Sequence, residues 1–278
     1  MEKEQAVRDV QMKILEIMKY IDKVCRQNDI TYFIMGGTAL GAVRHGGFIP
    51  WDDDLDIFMT PDQYEKFKGA LDKEKNETFV LQEWRTTPDY LEYAKVRMNG
   101  TTFIEKSMLG RKDLHLGIYV DIMILHKLPE GKQNIQKRIY NMSKYVVLFA
   151  LIQRGWKPKN IKQEILARIM KLLPNKILLR KFYKNIYKYD NLTEDYVWSY
   201  YITKAKLSQG VFERECFEKP ADIQFEDCML MGPQNIKNYL SGRYGNYMKL
   251  PSKEQQKADV HAYIYDCCKD YREYTKEW

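Results

Sequence analysis

Apolar positions recur along this chain with two different periods, and the switches between them mark its elements. From Gln5 to Arg26, the residues Val7, Val10, Ile14, Ile17, Ile21 and Val24 fall every three or four positions. That spacing predicts one helix lying on the domain with this stripe in the core. Three heptads without a consistent charged flank do not make a coiled coil. Thr31 to Met35 reads as a short buried strand ending at Gly36-Gly37, and Thr38 to His45 as a helix that starts on that turn. A period of two then takes over, with Leu55, Ile57 and Met59 alternating with Asp54 and Asp56. This predicts a strand over 55–59 that buries its apolar side and presents both carboxylates on one edge. Thr60-Pro61 supplies an N-cap and a first-turn proline for a helix reaching about Asp72. Phe79 to Trp84 and Tyr93 to Met98 are predicted strands, and Asn99-Gly100 signals a two-residue hairpin into Thr101 to Glu105. Gly117 to Leu125 is an apolar strand broken by one carboxylate, Asp121.

The acids change the picture from fold to chemistry. Two carboxylates on one strand edge repel each other unless a cation sits between them, and Mg2+ takes oxygen ligands from one or two carboxylates plus substrate phosphate. The spacing of an EF-hand loop, with its central glycine and terminal glutamate, is absent. Asp121 between Val120 and Ile122 also needs a partner, because an unpaired buried charge costs several kcal/mol, on the order of a lost ion pair. Its partner is either a metal or a base, and a salt bridge to Lys95 or Arg97 is the structural alternative. Placed beside Asp54 and Asp56, Asp121 completes a three-carboxylate cluster able to hold one or two Mg2+ (or Mn2+) ions, with Asp121 as third ligand or general base. Asp52 shares the Asp54 and Asp56 face if the strand starts early, whereas Asp53 faces away. Gly36, Gly37 and Thr38, between strand and helix, suit a phosphate cradle of backbone N–H groups; an ordinary helix start is the plainer alternative.

Length and charge set the outer bounds. The 278 residues can bury a full core as one compact unit. We expect a catalytic core over 1–130, a basic helical region over 131–205, and a segment over 206–278 that completes the site. No run of eighteen apolar residues is present and Met1-Glu2-Lys3-Glu4 is charged, so the expected location is cytoplasmic, with a peripheral position at the inner face of the membrane as a variant of it. Five cysteines without Cys-x-x-Cys spacing suggest free thiols and no structural zinc. The net charge of +7 is uneven: 154–188 holds eleven bases against Glu164, which is +10, and leaves about −3 elsewhere. There Ile161, Ile165, Ile169 and Leu172, then Ile177, Phe182 and Ile186, fall near helical spacing on two helices parted by Pro174. Such a basic amphipathic pair suits an anionic membrane surface, and equally an ordinary packed hairpin with a solvated lysine face. No nucleic-acid module accompanies the charge, so no nucleic-acid partner is expected.

The run from Gly36 to Asp56, Gly-Gly-Thr-Ala-Leu-Gly-Ala-Val-Arg-His-Gly-Gly-Phe-Ile-Pro-Trp-Asp-Asp-Asp-Leu-Asp, resembles the signature of the LicD family of phosphotransferases, relatives of the fukutin-type enzymes. Tyr239-Leu240, then Arg243-Tyr244-Gly245-Asn246-Tyr247-Met248 and Pro251, is similar to that family's C-terminal block, with His261 beyond it and Asn246 where the family often has Asp. The resemblance implies an α+β fold, a nucleotidyltransferase-like mixed β-sheet flanked by helices with a helical insertion. It also implies transfer of phosphocholine, glycerol phosphate or ribitol phosphate from a CDP-linked alcohol donor to a glycan or lipid-linked oligosaccharide acceptor, with release of CMP. A nucleotidyltransferase releasing pyrophosphate from a nucleoside triphosphate would need the same acids, and a non-catalytic binding protein would not need them. Under the transfer reading, Arg44 and His45 steady the diphosphate or leaving CMP, with a structural hydrogen bond as the alternative for His45, and Lys95 and Arg97 reach donor phosphate, with a solvated strand edge as the commoner role of such a pair. Tyr244 and His261 enter on the family block alone. Trp51, Trp84, Tyr93 and Trp198 are candidates for a box around a quaternary ammonium.

Overall fold

The structure is a computed structural model that describes residues 2–87, 92–153, 160–172, 175–200, 206–257 and 261–278. Its first helix, α1 (Glu2–Gln27), buries Val10, Ile14, Ile17, Ile21 and Val24, none of them more than 2% exposed. That stripe lies across a five-stranded mixed sheet. The sheet is formed after α1 by β1 (Phe33–Ile34), helix α2 (Gly36–His45), β2 (Asp56–Met59), helix α3 (Pro61–Glu74), β3 (Phe79–Glu83) and β4 (Tyr93–Met98), with two further strands downstream. Of those, β5 (Thr102–Glu105) leaves the sheet and β6 (Tyr119–Ile124) returns to its centre. The strand order is β1-β2-β6-β4-β3, with β2 and β6 parallel and the other pairs antiparallel. Val120, Ile122 and Ile124, alternate residues of this central strand, are all buried on one face, with Tyr119 of the other face 5% exposed. The α+β class and the helix-flanked mixed sheet expected from the sequence are therefore present.

One predicted pairing is wrong. Asn99-Gly100 does form a turn, with Gly100 at φ +75°, yet it does not close a hairpin between β4 and β5. Both edges of β4 are already taken, by β6 on one side and β3 on the other. No edge is left for β5, which pairs instead with β12 (Ala262–Asp266) in a separate two-stranded ribbon. This exchange matters for the site, because it draws the C-terminal segment onto the core. Helix α3 also lacks the expected side-chain cap. The Thr60 hydroxyl donates to Asp62 Oδ1 rather than accepting from the helix.

After β6 the chain makes β7 (His126–Pro129) and three helices, α4 (Gln133–Gln153), α5 (Ile161–Leu172) and α6 (Asn175–Ile186). Residues 173–174 fall outside the described residues, so the expected Pro174 break has no structural account. The two basic helices behave differently. Leu179, Phe182 and Ile186 of α6 turn inward onto Leu128, Ile139 and Val146, whereas the apolar row of α5 is exposed. Strands β8 (Tyr196–Ser199) and β9 (Val211–Phe212) extend β7 into a three-stranded sheet. The hairpin of β10 (Pro220–Phe225) and β11 (Cys228–Pro233) and helix α7 (Ile236–Tyr244) then cover β1 and α2. Among the described residues no helix is long and apolar enough to cross a membrane, and all five cysteines are free.

Candidate active site

Three neighbouring strands set one row of charged side chains. In the parallel pairing Asp56 of β2 stands opposite Asp121 of β6, and in the antiparallel pairing Asp121 stands opposite Lys95 of β4. The Lys95 ammonium donates to Asp121 Oδ1 at 2.5 Å and sits 3.4 Å from the centre of the Tyr119 ring. Asp54 precedes this row and Asp52 precedes Asp54. Residues 52–55 are not strand, so alternation does not govern them, and a turn with Asp52 N donating to Ile49 O folds them back toward α2. Gln11, buried on α1, donates to the carbonyls of both Ile49 and Asp52 and pins that turn.

The acids perturb one another. Burial pushes the Asp52 carboxyl up to about 9, helped by the nearby Asp54 and Asp56 charges. Asp56 is raised well above the usual range by burial and then by Asp54 and Asp121. Asp54 and Asp121 are raised too by burial, opposed for Asp54 by His261 and for Asp121 by Lys95. Four carboxyls thus crowd one pocket with Lys95 and His261 as the compensating cations. Such a group either takes up protons or accepts a further positive charge.

The glycines let the helix start meet this cluster. Gly36 has φ +53°, and a Cβ there would lie 3.7 Å from both Asp56 Oδ2 and the Tyr244 hydroxyl. At Gly37 a Cβ would come within 2.8 Å of Asp52 Oδ2, so the missing side chain makes room for that carboxylate. The Thr38 hydroxyl accepts from Asp56 N at 2.9 Å and fixes the start of β2. Of the three predicted cradle positions, Gly36 has its N–H engaged, since it donates to the Tyr239 hydroxyl at 2.8 Å. The N–H groups of Gly37 and Thr38 precede the first turn-closing bond of α2, Ala39 N to Met35 O.

The C-terminal ribbon brings in His261. Its backbone N and that of Ala262 donate to the Asp53 carboxylate, and its Nδ1 lies 2.9 Å from Asp53 Oδ1 and 3.7 Å from Asp54 Oδ2. The hydrogen bond to Asp53, with the Asp54 charge, raises the imidazole to about 9. Asp52, Asp54 and His261 each offer one donor atom within 4.8 Å of the others. That set differs from the expected Asp54, Asp56 and Asp121, and it includes a carboxylate the sequence placed outside the ligands.

Other predicted contacts lie elsewhere. Arg97 is 1% exposed and donates to the Gly117 carbonyl and Gln82 Oε1, with its guanidinium over Tyr119. It braces the sheet instead of facing a phosphate. Arg44 and His45 occupy the last turn of α2, about 12 Å along the helix from Gly36. There Arg44 donates to His45 Nε2 and to the Tyr247 carbonyl. Burial, with Arg44 beside it, lowers the His45 imidazole. The four aromatics do not form one box. Trp51 meets His45, Trp84 meets Tyr64 and Arg85, and Trp198 on β8 donates to the Arg214 carbonyl. Only Trp84 and Tyr93 share a small cleft, with Lys95 and Arg97 in its wall.

Residues 29–124 match the family described as LicD/FKTN/FKRP, nucleotidyltransferase domain. The LicD resemblance read from the sequence is thus matched over that segment. The match takes in α2, the acids and Lys95, while Tyr239, Tyr244 and His261 lie beyond it. The lipopolysaccharide cholinephosphotransferase LicD of Haemophilus influenzae is 28% identical over 92% of this chain and 96% of its own length. An uncharacterized Rickettsia prowazekii protein, RP689, is 31% identical over 43% of this chain and 41% of that protein. The human ribitol 5-phosphate transferase FKRP is 43% identical over 42 residues, 15% of this chain and 8% of its own length.

Several residues of this site were not anticipated as parts of it. Asp53, expected to face away, is 2% exposed and holds His261, whose Nδ1 also lies 3.7 Å from Asp54 Oδ2. Gln11 carried a signal, since it is the one amide beside Val10 and Ile14 on an otherwise apolar helix face. Tyr239 carried one only through the C-terminal block, and Tyr200, whose hydroxyl meets Met123 Sδ at 3.2 Å, carried none, because its role depends on long-range packing.

Proposed function

We propose that this chain moves a phospho-alcohol from a CDP-linked donor onto a hydroxyl of a glycan or its lipid-linked precursor, releasing CMP, with a divalent cation required. The observation that carries this reading is the parallel pairing of Asp56 with Asp121, with Asp54 and Asp52 folded against the same spot at the start of α2. The donor set suits a hard cation such as Mg2+ or Mn2+, being carboxylate oxygens in excess of local positive charge. Asp54 and Asp56 would hold it, with Asp52 and Asp121 as further oxygen donors. His261 stands beside this set, its Nδ1 2.9 Å from Asp53 Oδ1 and 3.7 Å from Asp54 Oδ2, and could join the donors on giving up its proton. A cation bound there supplies charge neutralisation for the phosphate oxygens.

The remaining roles belong to the chain's own groups. The N–H groups of Gly37 and Thr38, at the positive end of α2, bind donor phosphate. Lys95 opposes the rise of the Asp121 carboxyl and orients it through one oxygen, so the other oxygen is the base available to an attacking hydroxyl. The Tyr244 hydroxyl, which meets the same open position at Gly36 as Asp56 Oδ2, bounds the space in which donor and acceptor meet. The relatives named cholinephosphotransferase and ribitol 5-phosphate transferase support the reaction class.

The test is CMP release from CDP-choline, CDP-glycerol and CDP-ribitol with Mg2+, with and without lipid-linked oligosaccharide. One donor should be hydrolysed slowly alone and quickly with acceptor, and EDTA should abolish both. Pyrophosphate release from CTP or ATP, with no CMP from any CDP-alcohol, would replace this reading with nucleotidyl transfer.

A further inference from the structure

We propose that α5 is an in-plane membrane-binding helix that seats this protein on an anionic bilayer surface. Ile161, Ile165, Ile169 and Leu172 follow one another at intervals of four, four and three residues, and they are 68%, 52%, 50% and 86% exposed. At about 100° per residue they form a single stripe. Ala167, buried, falls on the opposite side of the helix and packs against Phe149 and Ile152 of α4. The apolar row therefore points away from the protein body, the reverse of what a helix folded onto a core does. An apolar row this continuous on a water-facing surface marks a contact.

Charge identifies the partner. On the same wheel Lys162 borders one edge of the row, beside Ile169, and Arg168 borders the other, beside Ile161. Arg168 is paired with Glu164 in an exposed i,i+4 contact, which is weak and leaves most of its donors to solvent. The next helix in the chain, α6, buries Leu179, Phe182 and Ile186, leaves Ile177 exposed and shows Lys176, Arg180, Lys181 and Lys184 to solvent. The 154–188 segment totals +10. Aliphatic side chains rimmed by bases are the chemistry of a helix lying at the headgroup level of anionic lipids, where the apolar row enters the acyl boundary and the bases meet phosphates. A second copy of the chain would bring +10 against +10. The sequence left the helix pair open between a membrane surface and a packed hairpin, and the packing assigns the insertion to α5 and leaves α6 as a source of charge. If the transfer reaction proposed above is correct, this seating places the site where a lipid-linked acceptor resides; the binding itself does not rest on that reading.

The experiment is co-sedimentation of the purified chain with vesicles of phosphatidylcholine alone and of phosphatidylcholine with phosphatidylglycerol, without donor or acceptor. The chain should pellet with the anionic vesicles, weakly with the neutral ones, and less as salt is raised. The double variant Ile165→Glu/Ile169→Glu, at two exposed positions, should lose at least about tenfold in partitioning, since two half-exposed aliphatic side chains would no longer enter the lipid. It should keep its melting temperature and its CMP release on a soluble acceptor. Undiminished vesicle binding by the variant would overturn the proposal. So would a wild-type chain that ignores anionic vesicles, including one that dimerises through this row and becomes monomeric when it is changed. Failure of CMP release with vesicle binding intact would count against the reaction and not against the surface.

Discussion

Replacing Lys95 with Met should destabilise the protein by about 3–5 kcal/mol in metal-free buffer, the cost of stripping one partner from a buried ion pair. Both side chains are largely out of water, 7% exposed for Lys95 and 13% for Asp121, so solvent cannot take over the lost contact. Met keeps much of the aliphatic stem that packs at the Tyr119 ring, so the loss reports the charge. For a chain of this size the melting temperature should fall by roughly 6–20 °C. The cost should shrink at low pH. Lys95 is what opposes the rise of the Asp121 carboxyl; without it Asp121 holds its proton to higher pH, so the variant's stability is retained in acid and lost as pH rises. Adding Asp121→Asn to Lys95→Met should recover part of the loss, since no orphan charge then remains, and the two changes should couple strongly in a double-mutant cycle. The assay is urea unfolding of the four proteins at two pH values. A loss under about 1 kcal/mol for Lys95→Met, or simple additivity in the cycle, would refute the idea that this lysine neutralises the acid row.

Asp56→Asn should lower turnover by at least about 100-fold while raising the melting temperature of the metal-free protein, because it removes one of four mutually repelling carboxyls; a metal-free melting temperature that falls would contradict it. Asp53→Asn should bring the His261 imidazole down from about 9 toward its ordinary 6.5, followed by NMR titration of the half-exposed ring, because the Asp53 hydrogen bond is the main cause of the rise. His126, buried between Glu92 and Asp190, is raised to about 10 because these carboxylates outweigh the cost of its burial. Its folded state binds the proton more tightly, so its contribution is complete below about pH 6.5 and is lost toward 10, at up to about 1.4 kcal/mol per pH unit. Denaturant midpoints of wild type and His126→Asn across that range should differ in slope; parallel curves would dismiss the account.

What could be read from the sequence follows from the range of the interactions involved. The stripe of α1 and the alternation at Leu55, Ile57 and Met59 are local patterns, and each fixes which side chains go inward before any partner strand is known. Asp121 was legible for the same reason, as a charge inside an apolar run that has to be matched. The sequence offered Lys95 and a cation as rival partners for it, whereas the register of β4, β6 and β2 puts Lys95 on one side of Asp121 and Asp56 on the other. The two readings are therefore compatible: one oxygen is met by the lysine and the row still holds more negative than positive charge. Pairing of β5 could not be read in this way. Asn99-Gly100 states only that the chain turns, and which edge receives the next strand depends on β3 having already covered β4. Because that edge is covered, β5 is left to pair with β12, and that pairing carries His261 to Asp53 and Asp54. The one hairpin misjudged from sequence is thus the step that completes the site, and Asp53, which a strand pattern would discard as outward-facing, is buried because the C-terminal ribbon closes over it.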